Sequence, residues 1–312
     1  MSLSFIFPGQ GSQAVGMGKA LADASAAARE VFGTVDEALG QNLSRLMFAG
    51  PDEALLLTSN AQPAIMAVSL ALVALLEKEA GIRLSERASF VAGHSLGEYS
   101  ALSAVGSFGL AQTARLLRLR GDAMQSAVPA GQGAMAALLG LDLDVVEKLV
   151  AEAAQGEICA AANDNAPGQV VISGHAAAVD RAIVLAKAAG ARRAMPLSVS
   201  APFHCALMGP AADAMARALA EAAILAPTVP VVANVTASAI TTPDEIRRLL
   251  VEQVTGRVRW RESIGWMADN GVTQMVELGG KVVGPMVKRI APEVTVLSVA
   301  GPEDVDALLK LL

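Results

Sequence analysis

The chain has 312 residues, 53% of them hydrophobic and 17% charged, a composition too apolar for a disordered chain and too interrupted for a membrane bundle. Twenty-four basic residues stand against thirty acidic ones, a net charge of −6, and two tryptophans, one tyrosine and seven phenylalanines give no basic, aromatic-studded surface for nucleic acid. At roughly 100–200 residues per domain the length allows one large domain or two moderate ones, with core enough to do without metals or disulfides.

In chain order, Met1-Ser2-Leu3-Ser4 lacks the basic region of a signal peptide and the first apolar run stops at Pro8, so a soluble, cytoplasmic protein is expected. Leu3 to Phe7 reads as a buried strand closed by the loop Pro8-Gly9-Gln10-Gly11-Ser12. From Met17 to Leu76 apolar residues recur at helical spacing, broken at Gly33, Gly40 and Gly50-Pro51. The longest apolar stretch, Ala61 to Leu76, is shorter than the roughly 18 clean residues of a spanning helix and reads as a buried helix. Ala88 to Ala92 is a second strand, followed at once by Gly93-His94-Ser95-Leu96-Gly97 and a helix from Glu98, the order of an α/β fold.

A different rhythm runs from Gly133 to Leu197. Ala134 to Leu139 reads as strand, Asp142 to Ala154 as helix, Ile158 to Ala162 and Gln169 to Ser173 as strands, His175 to Ala189 as helix, and Arg193 to Leu197 as strand. This βαββαβ order is that of a ferredoxin-like domain inserted in a larger one. Val229 to Val232, Thr273 to Glu277 and Val294 to Leu297 are further strands after the first domain resumes near Ser198. The expected division is 1–128 with 199–312 for the large domain and 129–198 for the small one. Cys159 and Cys205 are too few for a disulfide framework or a zinc site, and reduced thiols are expected.

Gly93 to Gly97 is a G-x-S-x-G sequence between a strand and a helix, the setting a nucleophile elbow requires. The glycines let the backbone turn sharply, projecting the Ser95 hydroxyl and turning the Leu96 N–H toward a developing oxyanion. A serine needs a base, and the chain has three histidines. His94 adjoins Ser95, where consecutive side chains point apart, and His175 follows Gly174 at a helix start, where a surface or capping role is simpler. His204, in Ser200-Ala201-Pro202-Phe203-His204-Cys205, lies where the chain returns from the inserted domain, a favoured place for a cleft. Elimination selects it, although a lone histidine beside apolar residues is equally a structural one, and the residues alone leave both open. Arg115 and Arg118 share a helix face, whereas Arg120 falls three and four residues after Leu117 and Leu116 and points where the leucines point. Such a guanidinium is costly unless it meets a buried carboxylate or an anionic ligand. A structural ion pair or a side chain snorkelling past Gly121 is the alternative.

Phe7-Pro8-Gly9-Gln10-Gly11-Ser12-Gln13, Gly93-His94-Ser95-Leu96-Gly97-Glu98-Tyr99-Ser100, Leu119-Arg120-Gly121 and Pro202-Phe203-His204, in this order, resemble the malonyl-CoA:acyl-carrier-protein transacylases. The likeness runs from end to end and includes Gln62-Pro63-Ala64, Asn165-Ala166-Pro167-Gly168-Gln169 and Ala226-Pro227-Thr228-Val229-Pro230. The resemblance implies an α/β-hydrolase-like large domain carrying an inserted ferredoxin-like one. It implies Ser95 as nucleophile, His204 as its partner, and the backbone carbonyl of Gln253 in place of a catalytic acid. It further implies an oxyanion hole from the N–H groups of Gln10 and Leu96, Arg120 as partner of the malonyl carboxylate, and an acyl pocket from Phe203, Met124 and Gln62. Malonyl-CoA and an acyl carrier protein are the implied partners, in fatty acid biosynthesis, with no cofactor, metal, membrane or nucleic acid. Two departures stand out: Glu277-Leu278-Gly279-Gly280-Lys281 is one residue shorter than the family's usual loop, and Ala201 occupies a variable position. The competing expectations are a serine esterase or thioesterase, which normally adds an acidic third member, and a malonyl-loading subunit of a polyketide or malonate-processing complex.

Overall fold

Runs such as Leu3-Ser4-Phe5-Ile6-Phe7, apolar without alternation, suit strands covered on both faces. The computed structural model describes residues 2–199 and 201–312; Met1, and Ser200 in the stretch leading to His204, lie outside the described residues. The strands in chain order are β1 (Ser2–Phe7), β2 (Ala88–Gly93), β3 (Gly133–Leu139), β4 (Cys159–Ala166), β5 (Gln169–His175), β6 (Arg193–Pro196), β7 (Val231–Val232), β8 (Ala239–Ile240), β9 (Val272–Leu278) and β10 (Thr295–Val299).

They form two sheets in a mixed α/β fold. The larger, six-stranded sheet has the order β10-β9-β1-β2-β7-β8 and is parallel except for β8 at its edge. Phe5 and Phe7 enter the main core beside Ile65 and Met66 of the helix Thr58–Lys78, while Ile6 and Ala92 face a second cluster around Trp260, Ile264 and Met275. That helix is longer than the sequence reading, 21 residues, and by length and composition could cross a membrane. Most of it is buried inside the protein instead, covering the sheet. Its Ser69 hydroxyl donates to the carbonyl of Leu278 at the end of β9 (2.9 Å).

Parallel pairing decides where the functional loops emerge. Phe7 pairs with Gly93 and Ile6 with Glu277, so the loops after β1, β2 and β9 leave the same edge of the sheet side by side. Ligand sites in open parallel sheets form outside this carboxyl edge.

The smaller sheet is antiparallel, in the order β4-β5-β3-β6, with helices Leu143–Ala154 and Ala176–Ala188 packed on one face. Alternation sorts its side chains: Ala136, Leu138, Val170 and Ile172 meet the two helices, while Met135 and Val171 turn toward the main core. Backbone bonds from Val258 to Ala162 and from Asp164 to Val258, both 2.9 Å, tie β4 to the other part of the chain, and Arg261 pairs with the buried Asp164 at 2.8 Å.

Several boundaries differ from those read in the sequence. β4 begins at Cys159 and runs on through Asn163-Asp164-Asn165, because those seam bonds hold polar residues extended. His175 ends β5 and is the extended residue that caps the next helix, which begins at Ala176; its side chain makes no cap bond, and its Nδ1 accepts the N–H of Ile158 at 2.9 Å. The strand expected over Val229 to Val232 shrinks to Val231–Val232, where Val91 donates to the carbonyl of Pro230, and β8 beside it was not foreseen. Both cysteines are free thiols.

Candidate functional site

The elbow after β2 requires its glycines. A Cβ on Gly93 would lie 1.9 Å from the carbonyl of Gly97, and one on Gly97 would lie 2.5 Å from the carbonyl oxygen of Phe7, so a side chain at either position would force strand and helix apart. Ser95 between them holds φ at 55°, a strained value for a residue with a side chain. Asn234, just beyond β7, braces the turn from both ends: its Oδ1 accepts the Ser95 N–H and its Nδ2 donates to the Gly93 carbonyl, both at 2.7 Å.

The Ser95 hydroxyl meets Nε2 of His204 at 2.7 Å, and Nδ1 of the same ring lies 2.9 Å from the backbone carbonyl of Gln253 in the helix Pro243–Thr255. A carbonyl can only accept, so Nδ1 carries the proton and Nε2 is left to take one from serine. Burial, and next the charge of Arg120, lower the His204 pKa to about 3. The ring is therefore a neutral base throughout the physiological range. Acylation followed by rapid quench with malonyl-CoA is expected to show no limb near the ordinary histidine value of about 6.5; a limb there would mean that the ring is solvated.

Arg120, on the helix Leu110–Ser126, is 1% exposed and shares its face with the buried Leu116 and Leu117, as helical spacing requires, while Arg115 is exposed. Its Nη1 donates to Gln62 Oε1 at 2.8 Å; its Nη2 donates to Gln253 Oε1 at 2.8 Å and to the Ser95 hydroxyl at 3.2 Å. The guanidinium lies 5.7 Å from the centre of the Tyr99 ring. All these partners are neutral, and among the described residues no carboxylate forms an ion pair with it. The structural ion pair considered from the sequence is thus not formed among the described residues; the desolvated guanidinium stands beside the serine, with the Glu98 carboxyl acting on it from a distance.

Ser95, His204 and Arg120 open into a cleft of about 330 Å³ between the two sheets. Gln10, Leu96, Phe203, Met124 and Gln62 line it, so every side chain or loop expected at the site reaches it except Gln253, which stands behind Arg120 and His204. Among the described residues no protein acceptor takes the N–H of Gln10 or Leu96. The short loop after β9 is well held: Glu277 accepts the N–H groups of Val282, Val283 and Gly284 at 2.8–2.9 Å, which sets Val282 and Val283 into the cleft wall.

His94 also borders the cleft, but its Nε2 is engaged with Asn165 Oδ1 at 2.8 Å, and burial lowers its pKa. Sequence reasoning missed Asn234, the lining residues Asn163 and Asn165, and the buried Glu98, whose Oε2 accepts the Asn234 N–H (3.0 Å) and Gln253 Nε2 (2.9 Å). Burial raises the Glu98 carboxyl to about 7.

The profile described as an acyl transferase domain matches residues 4–304, which gives the class of protein. Within that class, the malonyl CoA-acyl carrier protein transacylase of Escherichia coli (strain K12) is 46% identical over 309 residues, 99% of this chain and 99% of that one. The acyl-carrier-protein-S-malonyltransferase of Bartonella henselae superposes with a TM-score of 0.97 at 51% identity, covering 100% of this chain and 99% of that one. A malonyl-transacylase solved in complex with a type II PKS acyl-carrier protein has a TM-score of 0.96 at 40% identity, with both chains fully covered. The chain belongs to the malonyl-CoA:acyl-carrier-protein transacylase family.

Proposed function

We propose that this enzyme moves a malonyl group from malonyl-CoA to the phosphopantetheine thiol of an acyl carrier protein, supplying fatty acid biosynthesis through a malonyl-serine intermediate. The observation that carries the proposal is a serine in contact with both a neutral histidine and a buried arginine that forms no ion pair with a carboxylate among the described residues. Ser95 gives its proton to His204 Nε2 and attacks the thioester carbonyl; the oxyanion rests on the N–H groups of Gln10 and Leu96. His204 returns the proton to the departing CoA sulfur. The carrier thiol then gives its proton to the same ring, attacks the acyl-serine, and Ser95 recovers its hydrogen as it leaves. One thioester is exchanged for another, a nearly balanced reaction whose hazard is water.

Arg120 answers both the recognition and the positioning. It lies 3.2 Å from the attacking oxygen, so it suits a carboxylate separated from the reacting carbonyl by a single methylene, and a longer diacid would overshoot it. The esterase alternative lacks its third member here, since His204 Nδ1 faces a backbone carbonyl. Intact-mass detection of a malonyl adduct, followed by transfer to carrier protein rather than release of malonate, tests the assignment.

Phe203 lines the cleft, and we assign it, with Met124 and Gln62, to the acyl pocket. A methyl in an apolar pocket is worth about 1–3 kcal/mol, so malonyl-CoA is expected to outpace methylmalonyl-CoA by roughly 10-fold to 200-fold in kcat/KM. Phe203→Ala should shrink that ratio; equal rates in the unaltered enzyme would end the steric argument.

The βαββαβ order and the sheet order support a ferredoxin-like description of 129–198, and the elbow on a parallel sheet supports a hydrolase-like description of 1–128 with 199–312. Among the described residues the one helix long and apolar enough to cross a membrane is mostly buried inside the protein, which fits a soluble enzyme; a cytoplasmic location is part of the proposal.

A further inference from the structure

Glu98 is 1% exposed, three residues beyond the nucleophile, and the transfer steps leave it without a task. Its neighbour Gln253 has an amide with donors at one end and an acceptor at the other. Nε2 of Gln253 faces two oxygens, Oε2 of Glu98 at 2.9 Å and the carbonyl of Ser95 at 3.0 Å, whereas Oε1 faces Nη2 of Arg120 at 2.8 Å. Only one orientation of the amide satisfies all three. Turned over, it would set NH₂ against a guanidinium N–H and an amide oxygen against a carboxyl oxygen, unfavourable at both ends in a dry site.

We infer that Glu98 is a positioning residue for acyl recognition: with the Ser95 carbonyl it is one of the two acceptors that fix which way round the Gln253 amide lies, and the amide in turn aims Arg120 at the acyl group on Ser95. This rests on the reading of Arg120 as partner of the malonyl carboxylate. Glu98 is itself held by the N–H of Asn234, the residue that braces the elbow, so nucleophile and cation are referred to one anchor. The backbone carbonyl of Gln253 separately orients His204 and does not depend on the amide. Either protonation state of Glu98 serves, because the proton can reside on Oε1 while Oε2 accepts both bonds.

The test compares kcat/KM for malonyl-CoA and acetyl-CoA in full-length Glu98→Gln, Glu98→Met and Gln253→Leu proteins. A merely structural residue would lower both thioesters alike. Glu98→Met, close in shape but without an acceptor at that point, is expected to cut the malonyl-over-acetyl preference roughly tenfold. Glu98→Gln should stay within about twofold of the unaltered enzyme, since its carbonyl oxygen can accept both bonds. Glu98→Met added to Gln253→Leu should change the preference no further than Gln253→Leu alone, because the two act in one line. Parallel losses for both thioesters, a Glu98→Gln protein as impaired as Glu98→Met, or additive effects in the double variant would each overturn the inference. Should Glu98→Met not fold, Gln253→Leu decides alone, an unchanged preference overturning it. Arg120→Ala separates the two levels: if it lowers malonyl transfer selectively while Gln253→Leu does not, only the Glu98 inference falls, and if it lowers both thioesters equally, the underlying reading of Arg120 falls first.

Discussion

Ser95→Ala protein mixed with malonyl-CoA is expected to show no acyl adduct by intact mass, and His204→Ala to form one more slowly by roughly 100-fold to 10,000-fold, the usual contribution of a positioned base. The two side chains touch at 2.7 Å and in the proposed mechanism act as one unit, so combining the substitutions should cost no more than Ser95→Ala alone. The basis is specific to the geometry. Of the three histidines, His175 accepts a backbone N–H in the smaller sheet, and His94 spends its Nε2 on Asn165. His204 alone presents an unprotonated nitrogen to the serine. A His204→Ala protein that acylates at the full rate with His94 intact would show that the base lies elsewhere. Circular dichroism of both variants is needed, because His204 holds φ at 58° and is packed in the core.

The parts of this site legible in the sequence are those set by local geometry. Glycines two residues before and after Ser95 state that a strand must turn directly into a helix, and the close approaches at Gly93 and Gly97 supply the reason. Helical spacing likewise placed Arg120 among leucines, because a face repeats every three or four residues whatever lies opposite. The approach of His204 to Ser95 joins positions 109 residues apart, and no local rule reaches that far. Residues alone therefore left His204 between base and structural histidine, and resemblance to a family supplied what spacing did not.

Polar residues that owe their place to tertiary contacts were the least legible. Asn163-Asp164-Asn165 has the composition of a loop, since these side chains compete with the backbone and are depleted in strands. The pairing of Asp164 with Arg261 and the backbone bonds to Val258 override that preference and carry β4 to the cleft. Asn234 follows a strand of two residues, too short for any periodicity to show, yet both its side-chain ends close the elbow. Glu98 lies inside a quoted motif, where a glutamate in the first turn of a helix reads as favourable dipole placement and nothing more. Its burial, which the sequence does not reveal, turns an ordinary helix-start acid into an anchor.

Arg120→Ala is expected to lose roughly 30-fold to several thousand-fold in kcat/KM for malonyl-CoA, the range for truncating one partner of a desolvated charged pair at about 2–5 kcal/mol. The guanidinium donates only to neutral oxygens, two amides and the serine hydroxyl, and the buried Glu98 carboxyl acts on it from beyond the Gln253 amide, so no carboxylate among the described residues forms an ion pair with it. A malonyl carboxylate can meet the fork with two parallel hydrogen bonds; an acetyl group offers none. Acetyl-CoA should therefore be far less affected, and its transfer could improve once the bare cation is gone. Arg120→Lys should recover part of the malonyl loss only, because an ammonium keeps the charge without the planar fork that Gln62 and Gln253 hold between them. The effects need to be compared for both thioesters on the same folded variant, since the guanidinium also packs near Tyr99 and its removal could loosen the helix Leu110–Ser126. Equal losses for malonyl and acetyl transfer would return Arg120 to a structural role, because an interaction that never touches the acyl carboxylate has no means of telling the two groups apart.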